Sequence, residues 1–136
     1  MDIARGLATV DLLCVREVPE EGYLVAELET SRDFHEDDGT GWEETEDQYD
    51  ADRDALSERL TDRWGAPHLV SLASTLESSM EGEEIPEPWA SLSAHVPDLH
   101  LWRLPGTARW IALGVSQWDR ELPFQLLLVV TENDPP

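Results

Sequence analysis

Asp50-Ala-Asp52-Arg-Asp54 opens with the D-x-D-x-D spacing of a calcium loop. In such a loop alternate carboxylates converge on one ion, a Gly at position six makes the sharp turn, and a Glu at position twelve closes the shell. Here Ala55 and Thr61 stand at those two places. A capped helix start accounts for the same residues, because unpaired amides and the helix dipole favour carboxylates there. His35-Glu36 begins the string of a zinc-protease helix, but the residue four after His35 is Gly39, not a second His. His35, His68, His95 and His100 share no paired ligand spacing. Gly39-Thr40-Gly41 lacks the Lys of a phosphate loop, and the chain contains no Lys at all; its nine basic residues are all Arg. Cys14 is the one cysteine, so neither an internal disulfide nor a thiolate cage is available. No nucleophile-elbow motif lies near it or near any serine. These readings predict no metal, no cofactor and no catalytic residue: a protein that is not an enzyme.

Charge is the stronger signal. Over 136 residues there are 30 acids against 9 bases, a net charge of −21. Such a balance excludes nucleic acid and anionic membrane surfaces as partners, because both would be repelled. The excess is concentrated. Residues 33–54 hold 11 acids and one Arg, and residues 76–88 hold 5 acids and no base. Within the first tract Asp37, Asp38, Glu43, Glu44, Glu46 and Asp47 surround one large apolar residue, Trp42. Carboxylates in that setting suit the basic cleft of a partner protein, with Trp42 as an apolar anchor. The alternatives are a solubilising face and a Trp42 that docks back on the core.

Tryptophan supplies a second candidate. Trp102, Trp110 and Trp118 recur every eight residues. A three-residue loop at 105–107 would set Trp102 opposite Trp110 and His100 opposite Ala112. Two indoles over a floor of Ala108, Ala112, Gly114 and Ser116 would form a shallow apolar groove for a small ligand, with His100, Trp102 and Trp110 as its binding residues. The competing reading is that a helix fills that face.

The elements that must position these groups follow from periodicity. Leu7 to Val18 alternates as a strand, Pro19 to Gly22 turns, and Tyr23 to Thr30 alternates again, which predicts an N-terminal hairpin. Residues 33–48 show no apolar period and predict a long exposed acidic loop. A helix is expected over about 50–64, with Tyr49, Leu56, Leu60 and Trp64 as its buried stripe, Asp54, Glu58 and Asp62 on another side, and Gly65 and Pro67 ending it. His68 to Ser74 predicts a strand, Ser78 to Glu87 a turn-prone stretch, and 88–95 a short helix opened by Pro88. Leu99 to Leu104, Ala108 to Trp118 and Leu122 to Thr131 predict three further strands. The last is apolar on both parities and belongs in the middle of the sheet. The expected fold is α+β: one domain over 1–136, an antiparallel sheet of about five or six strands with the main helix against one face.

No apolar run is long enough to span a bilayer. Leu7 to Val18, broken by Thr9, Asp11 and Arg16, is a poor signal-peptide core, so a cytoplasmic protein is expected. An acidic domain of this size with a Trp64-Gly65-x-Pro67 junction resembles the varied small proteins that act as immunity partners of bacterial toxins. That resemblance implies a protein-binding role and assigns no residue a function. The expectation is a protein-binding module, of immunity or inhibitor type, that docks a basic protein. The alternative is a regulatory small-ligand domain on the tryptophan face.

Overall fold

Three consecutive runs near the C-terminus form strands as expected: β3 (Asp98–Arg103), β4 (Trp110–Ser116) and β5 (Gln125–Thr131). A computed structural model describes all residues, 1–136. It adds β1 (Tyr23–Thr30) and β2 (His68–Ser71), completing a five-stranded sheet in the order β1-β5-β4-β3-β2, with every neighbouring pair antiparallel. Four helices complete the α+β architecture: α1 (Ile3–Val15), α2 (Thr40–Trp64), α3 (Ala73–Met80) and α4 (Trp89–Ser93). β5 lies inside the sheet and is buried on both parities from Leu126 to Thr131.

The first half differs from the alternation pattern. Leu7 to Val15 is helical, so no N-terminal hairpin exists and β1 pairs with β5 instead. The stretch is so rich in apolar residues that both periods fit it; Ile3, Leu7, Val10, Leu13 and Cys14 also recur at helical spacing. Asp2 decides the start by accepting the Arg5 amide at 3.2 Å. Burying Val10 and Leu13 against the sheet stabilises the helix, whereas Leu12 is exposed.

Residues 33–48 are not one loop. α2 begins at Thr40, ten residues before the expected start, because the Asp37 carboxylate accepts the amides of Gly39 (2.8 Å) and Trp42 (3.1 Å). The strand expected over 68–74 ends at Ser71, and α3 takes the following residues. The short helix expected over 88–95 spans Trp89–Ser93.

Both faces of the sheet are covered, not one. On the first face Val10 and Leu13 of α1 and Leu56 and Leu60 of α2 pack on Trp102, Ile111, Leu113, Leu128 and Val130. On the second, Leu72, Trp89, Leu92 and Val96 pack on Leu99, Leu101, Ala112, Leu127 and Val129. Gly114 permits this second packing. A Cβ there would lie 2.6 Å from Val96 Cγ1 and 2.9 Å from Leu99 Cδ2. Gly114→Ala is therefore expected to destabilise by about 1–3 kcal/mol through overpacking. Urea unfolding measures it, and a midpoint equal to that of the native chain would refute the close approach.

Candidate functional site

The register separates the two tryptophans expected to meet. Trp102 pairs with Ile111, His100 with Leu113 and Arg103 with Trp110, because the connection runs from Leu104 to Arg109. Trp102 and Trp110 thus lie on opposite faces. Trp102 is buried beneath α2, edge-on to Trp64 at 6.1 Å, and donates its indole N–H to the Gly65 carbonyl at 2.9 Å. Trp110 donates to Asp134 at 3.2 Å and carries the Arg103 guanidinium over its ring at 5.2 Å. The small residues Ala112 and Gly114 meet α4 and its C-terminal segment, not an open groove. His100, Trp102 and Trp110 do not converge on one ligand surface.

Three residues of the acidic tract are used internally. Asp37 caps α2 and pairs with Arg32 at 3.1 Å. Burial opposes its charge, but Arg32 and the Gly39 and Trp42 amides prevail and hold its pKa below the ordinary carboxylate value. Asp38 accepts the Thr40 amide at 3.0 Å. Trp42 docks back on the core: its ring packs 5.5 Å from Phe124, its N–H donates to Gln117 at 3.2 Å, and Arg120 lies 4.4 Å over its face.

The remaining acids become a row because they are helical. At about 100° per residue, Glu43, Asp47, Asp50, Asp54 and Glu58 fall within a sector of about 80° on one flank of α2. Glu44 borders that sector on the solvent side and Glu46 on the core side. The row spans about 22 Å at 1.5 Å rise per residue. Asp50, Asp54, Glu58 and Asp98 extend the site beyond the acids first singled out. The spacing of Asp54 and Glu58, continued backward four and three residues at a time, reaches them, but only if 40–48 is read as helix. Asp52 of the D-x-D-x-D string turns away from this flank and accepts from Gln48 at 2.9 Å. No three His, Cys, Asp or Glu side chains are grouped to hold a metal ion.

Between this flank and the β2–β3 end of the sheet runs a groove. One part, about 390 Å³, is lined by Glu46, Asp50, Arg53, His95 and Asp98 among others. The next, about 320 Å³, is lined by Arg53, Leu69, Ser71, Asp98 and His100 among others. Arg53 and Asp98 belong to both, so the two parts adjoin. Arg53 is the one guanidinium in the lining; it pairs with Asp50 at 3.6 Å and Asp54 at 3.1 Å.

Two acids of the flank have raised pKa values. Burial, then Asp50, Asp47 and Glu43, raise the pKa of Glu46 against a smaller opposing pull from Arg120. Burial also raises Asp50; Arg53 opposes it, and Asp54, Asp47 and Asp98 add to the rise. Burial is the largest cause at both acids, and the like charges of the flank add to it.

Two histidines border the groove. His95 stacks on Trp118 at 3.7 Å, with Nδ1 2.5 Å from Ser116 Oγ. His100 Nδ1 is 2.8 Å from Ser57 Oγ, and its Nε2 is 3.9 Å from Asp54. The order Ser57, His100, Asp54 has the look of a hydrolytic triad. Ser57, however, is buried inside α2, where neighbouring amides are engaged in the helix and none is aimed at a bound carbonyl. The trio ties α2 to β3.

Burial lowers the pKa of His95, and burial followed by Arg53 lowers that of His100 despite Asp54 and Asp98. A lowered histidine contributes stability that is complete above its unfolded pKa of about 6.5 and is lost as pH falls through the folded value. Glu46 and Asp50 act oppositely: their contribution is complete below about pH 4 and is lost as pH rises through their raised values. The native chain should therefore be less stable to urea at pH 5.5 than at pH 7 through its histidines. A His95→Asn, His100→Asn variant should lose most of that difference; retention of the full difference would refute the assignment.

Compared with protein-family models, with curated proteins and with solved structures, the chain matches none. No helix is long and apolar enough to cross a membrane.

Proposed function

We propose that this chain is a docking module for a basic partner protein, and that the acidic flank of α2 is the surface it presents. The observation that carries the reading is the row of five carboxylates, Glu43, Asp47, Asp50, Asp54 and Glu58, on one flank of α2, whose three- and four-residue spacing sets up mutual repulsion. Arg53, paired with Asp50 and Asp54, is the one guanidinium in the adjoining groove, and like-charged neighbours add to the rise that burial causes at Glu46 and Asp50. A cationic partner relieves that repulsion on binding, so the free energy stored in the unbound chain is returned in the complex. The net charge of −21 adds steering, which raises encounter rates with a basic surface about 10-fold or more. The role is binding rather than catalysis, in the manner of an immunity or inhibitor protein. In a partner whose basic cleft takes nucleic acid, the carboxylate row stands where phosphates would. Nucleic acid and anionic membranes are not partners.

A nona-arginine peptide tests the surface. Titrated into isotopically labelled protein at low salt, it should bind saturably and shift amides from Glu43 to Glu58 and at Asp98. Affinity should fall about 10-fold or more at physiological salt, where the screening length is about 8 Å. Shifts centred instead on residues 33–38 or 81–87, or spread evenly, would overturn the choice of flank.

A further inference from the structure

β2 ends the sheet, and its outer side has no strand beside it. Which backbone groups face outward follows from the ladder. Leu72 N–H donates to the Pro97 carbonyl at 2.8 Å, and β2 pairs Val70 with Leu99 and His68 with Leu101. Antiparallel ladders alternate, so Leu72, Val70 and His68 direct their backbone groups at β3, and Leu69 and Ser71 direct theirs away from it.

The two edges of the sheet are not alike. β1 is blunted against further pairing by a register shift between Glu27 and Glu29 and by the charge of those residues. β2, His-Leu-Val-Ser, has a regular register and no acidic or always-charged residue, and its Leu69 is 74% exposed. Leu69 is opposite His100 and Ser71 is opposite Asp98. Cross-strand partners share a face, so Leu69 and Ser71 lie on the α2 side. There they line the 320 Å³ part of the groove together with Arg53 and Asp98. The open backbone edge thus borders the part to which α2 contributes Arg53, and the α2 acids Glu46 and Asp50 line the part that adjoins it.

We infer that the basic partner enters this groove as an extended segment, adding an antiparallel sixth strand to β2. The inference rests on the docking reading above and specifies its contact. Guest side chains facing the groove are two residues apart. The one opposite Leu69 is apolar. The next, opposite Ser71, is Arg or Lys and faces Asp98, with Asp50 in the adjoining part of the groove. The recognition element is an apolar residue and a cationic residue at i and i+2. Charge complementarity selects it, because the groove holds one guanidinium against several carboxylates.

The heptapeptide acetyl-Thr-Arg-Thr-Val-Thr-Arg-Thr-amide is the probe. Its Val lies between two Arg on one face whichever way it runs. It should bind saturably and protect the Leu69 and Ser71 amides from hydrogen exchange. N-methylation of the Val removes the donor that faces Leu69 and should weaken binding about 10-fold. N-methylation of the two Thr residues beside Val alters only outward-facing groups and should change affinity less than about twofold. A Leu69→Lys chain, checked for folding by circular dichroism, should bind about 10-fold more weakly. Equal affinity of the parent and N-methyl-Val peptides overturns strand addition, as does absence of saturable binding by the parent; the nona-arginine titration then decides the docking reading separately. Equal affinity of the parent and a peptide with both Arg replaced by citrulline overturns the cationic half of the recognition element.

Discussion

Glu46→Gln, Asp47→Asn, Asp50→Asn is expected to melt higher than the native chain while binding nona-arginine about 10- to 100-fold more weakly. The two effects share one cause. Asp50 stands four residues from both Glu46 and Asp54, and Asp47 four from Glu43, so neutralising the three removes several like-charge neighbours on α2. Each such pair costs roughly 0.2–0.5 kcal/mol. The change also loses the 3.6 Å pair of Asp50 with Arg53, but Arg53 retains Asp54 at 3.1 Å. The net gain is about 1 kcal/mol, or roughly 3–5 °C in Tm for a chain of this size. Binding changes in the opposite sense, since three carboxylates that would meet arginines are gone. Acid supplies the control. Near pH 4 the native carboxylates take up protons, and the stability difference should shrink. A variant that is both less stable and equally good at binding would contradict the account.

Trp102→Ala is expected to lose about 3–5 kcal/mol, a large share of the 5–15 kcal/mol usual for a domain. Trp102 is 2% exposed and sits in the core formed with Leu56, Leu60 and Ile111. Its removal leaves a cavity that α2 cannot collapse into, because Tyr49 and Leu56 already hold the helix to the sheet. It also releases the Gly65 carbonyl, so the C-terminal end of α2 loses its tie to β3. Trp102→Phe should fall between, since it keeps part of the ring volume and loses the N–H. Urea unfolding reads all three chains. A loss below about 1 kcal/mol for the alanine variant would mean that the indole lines an open surface, as the small-ligand reading requires.

The readable parts of the fold were those in which pattern and length agreed. β3, β4 and β5 alternate or run apolar over strand-like lengths, and Gly65 with Pro67 marks where α2 must stop. Those features were enough for the α+β class. Leu7 to Val15 is helical where alternation predicts a strand, because a dense apolar stretch satisfies both periods. The first ten residues of α2 carry no helical signal for the opposite reason: apart from Trp42, Gly41 to Gln48 has no apolar residue to show a period. Their helicity depends on Asp37 as a cap and on Phe124, far along the chain, as the floor for Trp42.

The composition of this chain by itself determines a surface that repels phosphate and attracts cations, since 30 acids cannot be hidden in a domain with so few bases. Where those acids stand was decided only by the tertiary structure. Side-chain direction depends on φ and ψ, which near Asp37 and Trp42 are set by contacts with Arg32, Gln117 and Phe124 rather than by neighbours in sequence. The same holds for the tryptophans. A shift of one residue in the β3–β4 register moves a side chain to the other face of the sheet, and packing on both faces, not the spacing of eight, chose the register.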